Sequence, residues 1–176
     1  GARLLTPALD IHPAEKLLET TRRAHVKRDN ITIDGEGAQG DSQLKQVRFH
    51  RDVTVVIQNG DNKVESPAVI TCDGHLDIDY EQNIARFHDN VVAIDHRGQL
   101  VGDQMDVFYD KVSRRLYKII AVGNVIVTNP DGNTTQSDRA VYLADEGRVI
   151  LGGDSEAKYY FDSDSKRGET DFLFAS

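Results

Sequence analysis

From Ile31 onward, short apolar runs alternate with clusters of turn-forming residues. Val53-Thr54-Val55-Val56-Ile57 leads into Asn59-Gly60, and Val91-Val92-Ala93-Ile94 ends in Asp95-His96-Arg97-Gly98. Val125-Ile126-Val127-Thr128 ends in Asn129-Pro130-Asp131-Gly132-Asn133, and the run from Ala140 to Leu143 ends in Asp145-Glu146-Gly147. Branched apolar runs bounded in this way read as strands, and Asn-Gly is a strong hairpin signal. Counting the runs predicts roughly 14 strands of about four to eight residues, spaced as in a sandwich, roll or solenoid.

The pattern repeats. GHLDIDY from Gly74, DQMDVFY from Asp103, DRAVYLA from Asp138 and DFLFA from Asp171 align, with starts 29, 35 and 33 residues apart. Three of them share one alternation: Leu76, Ile78, Tyr80; Met105, Val107, Tyr109; Ala140, Tyr142, Ala144. Between them recurs a polar turn followed by an apolar strand: Arg51-Asp52-Val53, Asp89-Asn90-Val91 and Gly123-Asn124-Val125. Each unit thus reads as strand, turn, short strand, turn, strand, turn, and a period in this range marks a repeat architecture. Residues 1–30 differ. Pro13 is suited to open a helix running through Ala14, Glu15, Leu17 and Leu18 towards Val26, because proline is tolerated at the first helical position. The expected division is a leader or adaptor segment at 1–30 and a β-domain at 31–176.

Composition supports the strands and narrows the chemistry. Val and Ile number 29 against 12 Leu, and Asp outnumbers Glu by 21 to 8. Branched side chains suit a pleated sheet, and Asp makes turns by bonding its own backbone. The net charge of -8 argues against a nucleic-acid partner. A single cysteine, Cys72, allows no internal disulfide and no cysteine-built metal cluster. No apolar run exceeds about four residues, far short of a membrane helix of about 20. No signal peptide is visible at Gly1-Ala2-Arg3.

Candidate chemistry is sparse. The chain contains no G-x-S-x-G elbow, P-loop, H-E-x-x-H or G-x-G-x-x-G after a strand. His75, Asp77 and Asp79 alternate on one strand, about 7 Å apart on one face, a spacing that suits metal ligands. A solvated outer face, with Leu76, Ile78 and Tyr80 turned inward, accounts for the same pattern. Asp162-Ser163-Asp164-Ser165 looks like the start of a calcium loop, but Lys166 and Leu173 stand where that loop needs a ligand and an acid. The remaining histidines His12, His25, His50, His88 and His96 fall in separate elements. No catalytic residue, metal or cofactor is assigned, and the chain reads as a non-enzyme.

A repeat-built sheet with one apolar face must bury it against something. If two sheets face each other, a slab or groove of Leu, Ile, Val, Met, Phe and Tyr runs the length of the array, as a packed core or as a slot for an apolar ligand. Small or medium facing residues (Ala140, Ala144, Val107) and tyrosines at strand ends favour the slot, a tyrosine hydroxyl suiting a rim beside an apolar interior. At the other end of the sequence, Asp171, Phe172, Leu173 and Phe174 begin a fourth unit that stops at Ser176. Such an open edge suits docking of a strand from another chain, or else is a frayed tail.

The alternation GHLDIDY, Ile84, Phe87, DNVVAID, then LVGDQMDVFYD, Ile119 to GNVIVTN, SDRAVYLAD and Val149 to Gly153 resembles the OstA-like repeat of the periplasmic lipopolysaccharide-transport family, the LptA and LptC types, over roughly residues 45–176. The resemblance implies an elongated, twisted all-β jellyroll with an apolar interior that shields the acyl chains of lipopolysaccharide. It further implies head-to-tail docking with other Lpt bridge proteins and with the inner-membrane transporter complex through edge strands. A periplasmic location follows, with an N-terminal inner-membrane anchor preceding these residues if the chain is of the LptC type. The phrase from Ile70 to Leu76 followed by IDY leans towards LptC. On this reading the lipid groove is Leu76, Ile78, Tyr80, Phe87, Met105, Val107, Tyr109, Ala140 and Tyr142. Two rivals remain: a self-assembling β-scaffold with a closed core, and a carbohydrate-binding β-solenoid using the acidic outer strip.

Overall fold

The computed structural model describes residues 3–14, 16–58, 66–113 and 115–152, with the backbone alone of 157–162 and 172–174. These residues form fourteen strands and no helix: β1 (Arg3–Leu5), β2 (Asp10–His12), β3 (Leu17–Arg28), β4 (Ile31–Asp41), β5 (Gln46–Ile57), β6 (Ala68–Cys72), β7 (Leu76–Asp79), β8 (Ile84–Asp95), β9 (Gly98–Tyr109), β10 (Leu116–Thr128), β11 (Thr134–Leu143), β12 (Arg148–Gly152), β13 (Ala157–Asp162) and β14 (Phe172–Phe174). All join one antiparallel sheet that follows chain order, apart from two broken strands. β6 and β7 together lie between β5 and β8, interrupted at Asp73-Gly74-His75. β1 and β2 share the outer edge of β3 in the same way.

The long strands are bent, and the sequence marks the bends. Register shifts fall between Thr20 and Arg23 in β3, Asp34 and Glu36 in β4, His88 and Val91 in β8, and Val122 and Val125 in β10. Left-handed backbone occurs at Asp52 (φ 50°), Asp89 (64°), Asn90 (50°), Gly123 (79°) and Asn124 (47°). Those are the residues of the recurring polar punctuation. They are β-bulges inside strands rather than turns between strands. Asn, Asp and Gly tolerate the left-handed region, and the extra residue bends the strand. The bulges of neighbouring strands are stitched together. Asp52 N donates to Asp73 O (3.1 Å), Asp73 N to Asp89 O (3.0 Å), and the Asn90 and Asn124 amides to the Asp73 and Asp103 carboxylates (2.8 Å each).

This seam divides each strand into two limbs that bury side chains in one core. In β5, Val47 and Phe49 lie on one side of the exposed His50-Arg51-Asp52 and Val53, Val55 and Ile57 on the other. β8, β9 and β10 follow the same scheme with Phe87 and Val91, Leu100 and Met105, and Ala121 and Val125. The sheet is thereby folded over on itself as a jellyroll. No helix among the described residues is long and apolar enough to cross a membrane.

The helix expected after Pro13 does not form. Pro13 and Ala14 lie in a turn, and Leu17–Arg28 is a twelve-residue strand that pairs with β4 from Leu17↔Asp41 to Arg28↔Ile31. Tertiary pairing overrides a weak helical preference here, because β4 supplies a full ladder of backbone partners and the core takes up Thr20, Ala24 and Val26. The segment expected to stand apart from the core therefore contributes to the same sheet. The remaining turns fall where expected: Asp95 Oδ1 accepts from Arg97 N (2.8 Å), and Gly132 and Gly147 adopt left-handed backbone in theirs. Asn59-Gly60, Ser163-Asp164-Ser165 and Asp171 lie outside the described residues.

Candidate functional site

The two limbs face each other across a narrow apolar slot. Ile31, Ile33, Val55, Ile57 and Ile70 line one wall, and Leu76, Ile78, Tyr80, Ala85, Phe87, Val107 and Tyr109 the other. Six of the nine expected groove residues are thus brought together: Leu76, Ile78, Tyr80, Phe87, Val107 and Tyr109. Met105 and Ala140 are fully buried in the same core but outside this slot, and Tyr142 packs against that core half-buried. The void between the walls is about 30 Å³. That is room for about one or two waters, against the roughly 300–1,000 Å³ of ordinary ligand pockets.

Tyrosines and arginines mark the margins. The Arg28 guanidinium lies 4.2 Å from the Tyr80 ring centroid, and that of Arg97 5.2 Å from the Tyr142 ring. The Tyr142 hydroxyl is buried, and burial pushes its pKa up to about 12. Cys72 lies in the core, where burial pushes its thiol up to about 11, so it remains a protonated, inert packing group.

The opposite face of the same strands is polar. Arg48, Asp77, Arg86 and Asp106 stand in register across β5, β7, β8 and β9, a ladder of alternating charge. Arg48 donates through Nε to Asp77 Oδ1 and through Nη2 to Oδ2 (3.1 Å), which raises the Arg48 pKa. Arg86 Nε lies 3.8 Å from Asp106 Oδ2. Of the three residues read as alternating on this face, His75 and Asp77 come together, with Nε2 3.5 Å from Oδ2. Asp79 instead accepts from the Glu81 and Gln82 amides (2.9 and 2.8 Å) and closes the β7–β8 turn. His88 of β8 takes the third place, its ring stacked on that of His75 at 3.9 Å. Burial, and then the neighbouring His75, hold the His88 pKa below the ordinary imidazole value.

Sequence reasoning found one wall of the slot and missed the other. Ile31, Ile33, Val55, Ile57 and Ile70 alternate as regularly as the residues it named, and that alternation was the available signal. It also missed His88, which only cross-strand register places beside His75.

These features define a bent-sheet β-jellyroll with an apolar interior between two walls. Residues 70–170 match the family model described as LptA/(LptD N-terminal domain) LPS transport protein, more than half of the chain, and the chain belongs to that family. Its fold is similar to the crystal structure of LptH from Pseudomonas aeruginosa, described as the LptA homologous periplasmic component of the conserved lipopolysaccharide transport device. The TM-score is 0.58 at 12% identity, covering 77% of this chain and 93% of that one. No curated protein matches the sequence. Neither comparison separates an LptC type from an LptA type.

Proposed function

We propose that this protein is a non-catalytic periplasmic component of the lipopolysaccharide-transport bridge, holding lipid acyl chains between its two apolar walls. Membership of the transport family over residues 70–170 carries the reading, and the wall of Leu76, Ile78, Tyr80, Phe87, Val107 and Tyr109 supports it. Acyl chains associate by apolar burial worth about 0.8 kcal/mol per CH₂, which such walls supply along their length. Because the void is only about 30 Å³, the walls must part as lipid enters. The edges of the sheet, β1 and β2 at one side and β14 at the other, pair with edge strands of neighbouring bridge proteins and of the inner-membrane transporter complex. Asp171 to Phe174 is the docking segment at the β14 side. Strand addition of this kind draws its affinity from main-chain hydrogen bonds.

The same small void favours a second reading, a closed packed core that serves only as a scaffold. Photocrosslinking side chains placed at Ile78 and Val107, and at the outward Asp77 and Asp106, separate the two in the presence of lipopolysaccharide. Labelling of lipid from Ile78 and Val107 alone is the expected result, with Val107→Glu reducing lipid capture because a charge in the slot opposes burial. Labelling from the outward pair alone, or from none of the four, would sink the lipid reading.

A further inference from the structure

We propose that His75, Asp77 and His88 bind a borderline divalent transition-metal ion of the Zn²⁺ class on the outer face of the β7–β8 hairpin, beside the bulge seam. One ligand atom from each residue lies within 4.8 Å of the others. The backbone fixes this arrangement. His88 N donates to His75 O and Gly74 N donates to His88 O, both at 3.1 Å, so the two histidines stand opposite each other across the ladder. Asp77 follows His75 by two residues and therefore shares its face. Its carboxylate is oriented by Arg48, whose Nε holds Oδ1 while Oδ2 faces His75. An outer partner that fixes a ligand carboxylate is a regular feature of metal sites. Oδ2 also accepts from Arg48 Nη2, but a carboxylate oxygen has a second lone pair to offer.

The donor set selects the ion. Two imidazoles and one carboxylate suit Zn²⁺, Cu²⁺ or Ni²⁺, whereas Ca²⁺ and Mg²⁺ take oxygen ligands in larger number. Zinc–ligand bonds of about 2.0–2.2 Å place tetrahedral donors roughly 3.3 Å apart. The widest pair must therefore draw together by about 1.5 Å. The two stacked rings, whose in-plane lone pairs run nearly parallel, must turn out of their stack to aim both nitrogens at one ion. His75 is 41% exposed and Asp77 31%, so both have room to turn without moving the backbone. Three protein ligands leave the fourth position to solvent. The competing account is that the stacked rings and the charge ladder merely cover the sheet, in which case no saturable metal binding exists.

Zn²⁺ titration of the untagged protein decides between them, followed by calorimetry and by the histidine ring signals in NMR spectra. The expected result is one ion per chain, with perturbation confined to the His75 and His88 rings and no competition from Mg²⁺ or Ca²⁺. His75→Gln and His88→Gln should each weaken binding at least about tenfold, and Asp77→Asn, which spares the ring stack, by about tenfold. His96→Gln, on the exposed β8–β9 turn, should leave it unchanged; thermal melts establish that each variant is folded. Absence of saturable binding overturns the proposal. So does binding that survives both histidine variants, or perturbation spread equally over His12, His25, His50 and His96. Lipid capture is not the readout, so failure here leaves the lipid reading intact.

Discussion

The two faces of the β7–β8 hairpin are built from residues that alternate along the same strands, yet different physics holds each together. Inward, Leu76, Ile78 and Phe87 are at most 5% exposed and belong to a core that continues from β3 to β12. Outward, His75, Asp77, Arg86 and His88 meet solvent and interact through charge and ring contact. Burial is non-directional and roughly additive in area, so the inner face sets stability. Exposed charge pairs are screened and contribute little, so the outer face is free to carry specificity. In a family that moves an amphipathic lipid, this division leaves the outer surface open to other tasks without weakening the wall.

The largest expected effect lies on the inner face. Phe87 is 1% exposed and lines the slot, so Phe87→Ala removes buried area and leaves a cavity. The loss should be about 3–5 kcal/mol, against a total of about 5–15 kcal/mol for a typical domain. Urea unfolding measures it. A loss below about 1 kcal/mol would mean that the walls collapse freely onto vacated space, and the inner face would then be softer than its burial implies.

The bulge seam, which fixes where both faces bend, comes next. A Cβ on Gly74 would meet the Asp89 carboxylate and lie 2.7 Å from His88 O. Because His88 O accepts from Gly74 N (3.1 Å), the backbone there cannot retreat without breaking the stitch. Gly74→Ala should therefore cost about 1–3 kcal/mol, the usual range for overpacking. Unchanged stability would show that the break between β6 and β7 is pliable and that the bulges are not locked to one another.

The sequence makes the inner face of β7 and β9 legible because large apolar residues recur there at period two: Leu76, Ile78; Met105, Val107, Tyr109. The opposite wall carries the same period-two signal at Ile31, Ile33 and Val55, Ile57. The bounds of the strands are harder to read, since a bulge and a turn share the same residues. Asp89-Asn90 and Gly123-Asn124 adopt left-handed backbone, which serves either purpose, and only the partner strands show that β8 and β10 continue through them. β3 was obscured for a related reason. Its core residues Thr20, Ala24 and Val26 straddle a bulge, which breaks the alternation, and Pro13 offers a helical start to what is left. The outer cluster was half legible: same-strand spacing joins His75 to Asp77, whereas His88 enters through a pairing that no local pattern encodes.

The smallest effect belongs to the outer ladder. The Arg48–Asp77 pair has two hydrogen bonds, the most favourable geometry an exposed ion pair can adopt. Yet the side chains are 48% and 31% exposed, so water screens the attraction and solvates either partner once the other is gone. Arg48→Met, which keeps most of the apolar stem, should therefore cost below about 1 kcal/mol. The difference from wild type should narrow as salt is raised, because the screening length shortens. Urea unfolding at low and high salt measures both quantities. A loss approaching that of Phe87→Ala, or one indifferent to salt, would mean that the ladder supports the bent sheet in its own right and that the two faces do not divide stability and specificity between them.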